Sequence, residues 1–134
     1  MILATGIDLT DIRRIEQTLA RFGAQFENRV FTKAEQEKAK SRAEAGIQTV
    51  AATYAKRFAA KEACIKALGM KGINWLDMEV SNADNGAPSL TLHGEAKQYL
   101  QRLTPEGHRP VLFLSLTDAY PYAQAQLIIE AQRP

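Results

Sequence analysis

The longest regular pattern of apolar and polar positions lies between Ile47 and Leu68. At about 100° per residue, Val50, Tyr54, Phe58, Ile65 and Leu68 share one arc, and Ala51, Ala55, Ala59 and Ala63 form a stripe beside it at i, i+4 spacing. One long helix is predicted, with Glu62 inside the alanine stripe. Small residues in such a row let a neighbouring strand or helix come close. Glu62 is therefore expected in a partly enclosed crevice, where an unpaired carboxylate is costly. Its cation is either Lys66, one turn on along the same face, or a bound metal ion; as a bare i, i+4 helix pair the two residues contribute only about 0.2–0.5 kcal/mol.

The pattern around that helix changes with a two-residue or a helical period. Met1 to Leu9 reads as a strand with Ile7 and Leu9 on one face and Asp8 on the other. Asp8 is thus either a ligand or part of a helix start, where Thr10 or Asp11 also serves as a cap. From Thr10 to Phe22, Ile12, Ile15, Leu19 and Phe22 make an amphipathic helix closed by Gly23. Gln25 to Val30 adds a helical turn, and Thr32-Lys-Ala-Glu35 is a capping box opening a polar helix of about ten residues. Trp75–Val80 and Ser89–His93 flank Asp84-Asn-Gly86 as a hairpin, and Gly94–Leu103 is a further amphipathic helix. Val111–Thr117 and Tyr122–Glu130 close the chain as apolar strands, expected at the sheet centre and covered on both faces. This order predicts an α+β fold in one domain, with an antiparallel sheet packed against the long central helix.

Composition narrows the function by exclusion. With 134 residues, 46% of them hydrophobic, a core is affordable, and a net charge of +2 gives no bulk signal for nucleic acid. Local clustering says more: Arg14 and Arg21 form a basic ridge opposite the apolar stripe of their helix, with Arg13 and Arg29 nearby, and this suits an acidic partner. The single cysteine, Cys64, excludes an internal disulfide framework and reads as a packing residue. His93 and His108 stand alone. The chain shows neither a signal-peptide pattern nor an apolar run of membrane-spanning length, so a cytoplasmic protein is expected.

The run Phe58-Ala-Ala-Lys61-Glu62-Ala-Cys-Ile-Lys66-Ala67-Leu68-Gly69 resembles the F-x-x-K-E-A-x-x-K-A-[FL]-G signature of the 4'-phosphopantetheinyl transferase superfamily. Gly6-Ile7-Asp8-Leu9-Thr10-Asp11-Ile12-Arg13-Arg14-Ile15 resembles the partner motif of one subgroup, the holo-acyl-carrier-protein synthases. Two motifs in the right order, about fifty residues apart, with a similar C-terminal segment, extend the likeness over the whole chain.

This resemblance implies an activity, transfer of the 4'-phosphopantetheine arm of coenzyme A to a serine of apo acyl carrier protein in fatty acid biosynthesis, leaving adenosine 3',5'-bisphosphate. It implies Mg2+ held by Asp8 and Glu62, with Lys66 donating to the phosphate. Arg57 and Lys61 would flank the site as phosphate ligands, Arg57 toward the 3'-phosphate, and the loop with Gly69 and Lys71 would lie near the diphosphate, although Gly69 is equally an ordinary helix cap. Arg14 and Arg21 resemble the docking ridge for the acidic carrier protein. The subgroup assembles as a homotrimer with sites shared between subunits. Many members carry His at or beside the position of Asp118; here the run is Thr117-Asp118-Ala119, so both Asp118 and Glu62, acting through a bound water, are candidates for the base. A non-catalytic basic interaction module would account for the arginines, but it leaves Asp8 and Glu62 unexplained.

Overall fold

Helix α4 spans Ile47–Leu68, and the rest of the chain packs around it in a computed structural model that describes all 134 residues. Strand β1 (Ile2–Asp11) leads into α1 (Ile12–Phe22), α2 (Ala24–Val30) and α3 (Lys33–Lys40) before α4. A hairpin of β2 (Met78–Asn82) and β3 (Pro88–Leu92), helix α5 (Gly94–Leu103) and strands β4 (Arg109–Ala119) and β5 (Tyr122–Gln132) complete it. All pairings are antiparallel: one sheet runs β1-β5-β4, and β2-β3 is a separate two-stranded ribbon. The α+β expectation therefore holds, with β5 at the centre of the larger sheet.

Close approach between sheet and helix comes from small residues. Ala51, Ala55, Ala59 and Ala63 are all fully buried, and a Cβ on Gly6 would sit 2.0 Å from the Ala63 carbonyl oxygen. Only glycine permits β1 to lie this near α4. In register terms Gly6, Asp8 and Thr10 face the helix, and Ile7 and Leu9 face outward.

That outward face corrects one expectation. Strands β4 and β5 were predicted to be covered on both sides, yet β4 is an edge strand. On the outer surface Ile7 is 54%, Leu9 62%, Phe113 48% and Tyr122 45% exposed. On that face these apolar side chains alternate with Gln124, Gln126, Ser115 and Thr117, and no element of the chain lies over them.

Two apolar clusters lie on either side of α4. Cys64, Met78, Leu127 and Ile129 belong to one, between sheet, hairpin and α5; Ile12, Phe31, Tyr54 and Ala123 belong to the other, under α1–α3. The capping box at α3 is present in both directions, Glu35 N–H donating to Thr32 Oγ1 and Thr32 N–H to Glu35 Oε1. Helix α1 starts two residues later than the apolar spacing indicated, because the Asp11 carboxylate accepts from the Arg13 N–H and caps it. No helix is long and apolar enough to cross a membrane.

Candidate active site

Strand β1 and helix α4 together build an open cavity of about 310 Å³ lined by Asp8, Thr10, Arg14, Phe26, Phe58 and Glu62, among others. Asp8 comes from the helix-facing side of the strand, and Glu62 from the alanine stripe that the strand covers. The half-enclosed setting expected for Glu62 is observed. Burial and then the Asp8 carboxylate push the Glu62 carboxyl above its ordinary range, with Lys66 and Arg14 opposing. Asp8 and Glu62 thus face one another across the cavity that both line.

The cation nearest Asp8 is Lys66, whose Nζ donates to Asp8 Oδ1 at 2.8 Å and to the Ile7 carbonyl at 3.2 Å. The i, i+4 spacing had paired Lys66 with Glu62; instead Lys66 reaches across to the strand, and this hydrogen bond holds its ammonium above the usual lysine range. Asp8 Oδ2 accepts from Thr10 Oγ1 at 2.8 Å. Thr10 had stood out only as a cap, but its i+2 position on the same strand face places it beside Asp8. No three His, Cys, Asp or Glu side chains gather anywhere to encage a metal. A pair of carboxylates fits Mg2+, which takes one or two carboxylates and completes its shell with waters and substrate phosphates.

Arg57 and Lys61 do not reach this cavity. They share the opposite face of α4, turned toward α3 and the hairpin. Lys61 is 0% exposed; its Nζ donates to Glu35 Oε1 at 2.7 Å, the Val30 carbonyl at 2.6 Å and the Trp75 carbonyl at 3.3 Å. Burial lowers the Lys61 pKa and the Glu35 charge opposes that shift. With every ammonium proton committed inside the protein, Lys61 is an interior tie between α4, α3 and the turn at Trp75, and no hydrogen remains for a phosphate. The expectation of Lys61 as a phosphate ligand is corrected on that ground.

Arg57 is 4% exposed and opens on a second cavity, of about 280 Å³, whose lining includes Lys38, Arg42, Lys56 and Asn82. Its Nη2 donates to Asn82 Oδ1 at 2.8 Å, its Nη1 only weakly to the Thr53 carbonyl at 3.5 Å, and its Nε finds no acceptor in the chain. Asp118 lies near this basic region, paired with Lys56 at 3.0 Å and bordering a cavity shared with Arg42 and Tyr120. It does not line the Asp8–Glu62 cavity of its own chain.

Gly69 caps α4 in the left-handed conformation (φ 64°), its N–H bonded to the Ile65 carbonyl, and Lys71 is exposed on the loop beyond. Both sit about two helical turns past Glu62. Arg14 borders the carboxylate cavity directly, whereas Arg21 stays exposed one face along α1, its guanidinium 5.1 Å from the Phe22 ring centroid. Between α1 and α2 an apolar groove lined by Thr18, Phe22, Gln25, Phe26 and Arg29 continues from the cavity.

The chain is an antiparallel α+β scaffold that sets two carboxylates and Arg14 in one cavity, with Lys66 paired to Asp8 and a basic cavity further along the same helix. The chain belongs to the 4'-phosphopantetheinyl transferase superfamily, whose family model matches residues 4–124. It is 54% identical over 134 residues to the holo-[acyl-carrier-protein] synthase of Dinoroseobacter shibae, covering 98% of this chain and 93% of that one. Among solved structures, the holo-[acyl-carrier-protein] synthase of Helicobacter pylori in complex with coenzyme A superposes with a TM-score of 0.76 at 29% identity, over 94% of this chain and 99% of that chain. The synthase of Neisseria meningitidis gives 0.80 at 26% identity, over 97% and 99%.

Proposed function

We propose that this protein is a holo-[acyl-carrier-protein] synthase, moving 4'-phosphopantetheine from coenzyme A to a serine hydroxyl of an apo acyl carrier protein. The observation that carries this is the Asp8–Glu62 pair, two carboxylates facing one open cavity with Lys66 and Arg14 beside them. Similarity to a coenzyme A-bound synthase across 94% of the chain supports the substrate.

Asp8 and Glu62 are the residues that would hold Mg2+, which when bound neutralises charge on the diphosphate of coenzyme A. In the reaction, the serine oxygen forms a bond to the β-phosphorus and the bond from that phosphorus to the bridging oxygen breaks. Adenosine 3',5'-bisphosphate leaves with the bridging electron pair. Lys66 is an exposed, protonated donor at the mouth of the cavity and stabilises charge on the phosphate oxygens. Glu62 takes the serine proton through a water. Gly69 and Lys71 lie on the loop that the same helix delivers toward the diphosphate. Asp118 borders a cavity with Arg42 and Lys56, both of which also line the cavity of Arg57, and lies away from this chain's own carboxylates.

A homotrimer with shared sites gives that separation a purpose. One chain supplies Asp8, Glu62 and Lys66, and its neighbour supplies Arg57 and Asp118; the uncovered outer face of the sheet, with Ile7, Leu9 and Phe113, is the surface on which the copies meet. Arg14 and Arg21, with the apolar groove beside them, receive the acidic carrier protein. Replacing Asp8 by Asn or Glu62 by Gln should leave circular dichroism unchanged and abolish Mg2+-dependent transfer. Either variant keeping near wild-type turnover at ordinary Mg2+ would refute the site.

A further inference from the structure

Arg57 is a buried cation with one firm partner. The residue is 4% exposed, Nε has no acceptor, and the bond to the Thr53 carbonyl is long at 3.5 Å. Asn82 Oδ1, accepting from Nη2 at 2.8 Å, is what fixes the plane of the group. The Asn82 amide is itself held: Nδ2 donates to the Gly86 carbonyl at 3.1 Å across the hairpin turn, so the oxygen is committed to face Arg57. Asn82 is the last residue of β2, opposite Pro88 in the ribbon register. The hairpin tip, remote in sequence from both motifs, is thereby coupled to a motif residue.

The cavity needs an anion. Lys38, Arg42 and Arg57 line it and make no ion pair, while Asp84 is its one carboxylate. Of the groups on coenzyme A, the 3'-phosphate is a dianion set apart from the diphosphate and matches the fork of an arginine. A neutral amide can orient the guanidinium without cancelling its charge; a carboxylate in the same place would orient it and quench it.

We propose that Asn82 is a positioning residue that sets Arg57 for the 3'-phosphate and so sets the preference for coenzyme A over 3'-dephospho-coenzyme A. The proposal rests on the reading of Arg57 as a ligand of that phosphate. Loss of one charged-group hydrogen bond corresponds to roughly a tenfold change in affinity.

The test is steady-state transfer with the two donors, in wild type and in Arg57→Ala, Asn82→Ala and Asn82→Asp. Asn82→Ala should raise KM for coenzyme A roughly tenfold while kcat, and KM for the 3'-dephospho donor, stay within about twofold. Asn82→Asp keeps an acceptor for Arg57 and should lose the preference at least as fully, because its charge opposes the phosphate. In the Arg57→Ala background, Asn82→Ala should have no further effect on the preference. If Arg57→Ala erases the preference but either Asn82 variant retains it, or the Asn82 variants harm both donors equally, the proposal is overturned and Arg57 keeps its assignment. If Arg57→Ala itself leaves the preference intact, the assignment of Arg57 fails and the proposal falls with it.

Discussion

Lys61 sits one residue from Glu62 in the signature run, yet its work is interior, and that distinction can be measured. Lys61→Met keeps the length of the side chain and removes its charge. The Glu35 carboxylate, fully buried, is left with only the N–H groups of Thr32 and Val80 as donors, each at 2.9 Å, and the Val30 and Trp75 carbonyls lose their donor. Breaking a buried ion pair from one side costs about 3–5 kcal/mol. Against a total stability on the order of 5–15 kcal/mol this is a large fraction. With a urea slope of about 2 kcal/mol/M, the midpoint should fall by about 2 M. Urea unfolding followed by circular dichroism reads it directly, with Lys66→Met, an exposed change, as the control expected within about 0.5 kcal/mol of wild type. Adding Glu35→Gln to Lys61→Met should recover part of the loss, since a buried neutral amide costs less than an unpaired carboxylate. Folded Lys61→Met should bind coenzyme A with wild-type affinity. A midpoint shift below about 0.5 M, together with weakened coenzyme A binding, would return Lys61 to the phosphate site and refute this reasoning.

Three further outcomes are expected. Arg21→Glu should raise KM for the carrier protein by about tenfold and flatten the salt dependence of transfer without changing KM for coenzyme A, whereas Arg14→Glu, which borders the carboxylate cavity, should change both. Co-refolding inactive Glu62→Gln with Arg57→Ala at limiting coenzyme A should restore activity at about a quarter of the sites if they are shared between copies; no recovery in mixed assemblies would place each site within one chain. Cys64 is fully buried and its thiol is pushed up to about 12 from 9.0 by burial. The unfolded chain therefore binds fewer protons than the folded one between those values, and stability should fall as pH rises above 9.0. Cys64→Ala should show a flatter alkaline slope in urea midpoints, and an unchanged slope would remove Cys64 as its cause.

Much of the scaffold was legible because it follows from local rules. The spacing of Val50, Tyr54 and the four alanines marked α4 from Ile47 to Leu68, and Thr32 with Glu35 marked the start of α3. Asp8 and Glu62 were singled out as carboxylates set among apolar or small residues, and it was the resemblance of both motifs to the transferases, not the spacing, that implied a shared role for them. What stayed hidden depends on contacts distant in sequence. A helix packed on several sides has more than one buried face, so helical spacing cannot say that Lys61 turns to Glu35 and Lys66 to Asp8. Asn82 lies 25 residues from Arg57 and meets it only because the hairpin folds over α4. The exposed outer face of Ile7 and Leu9 looked like half of an ordinary strand pattern, and only the placement of β1 beside β5 shows that nothing in this chain covers it.

The most direct measurement is the intact mass of an apo acyl carrier protein after incubation with this protein, coenzyme A and Mg2+. The account requires a discrete gain of one 4'-phosphopantetheine per carrier, located on a serine and missing when Glu62→Gln replaces the wild type. A carrier mass that does not change with folded protein, Mg2+ and saturating coenzyme A would contradict the proposed function.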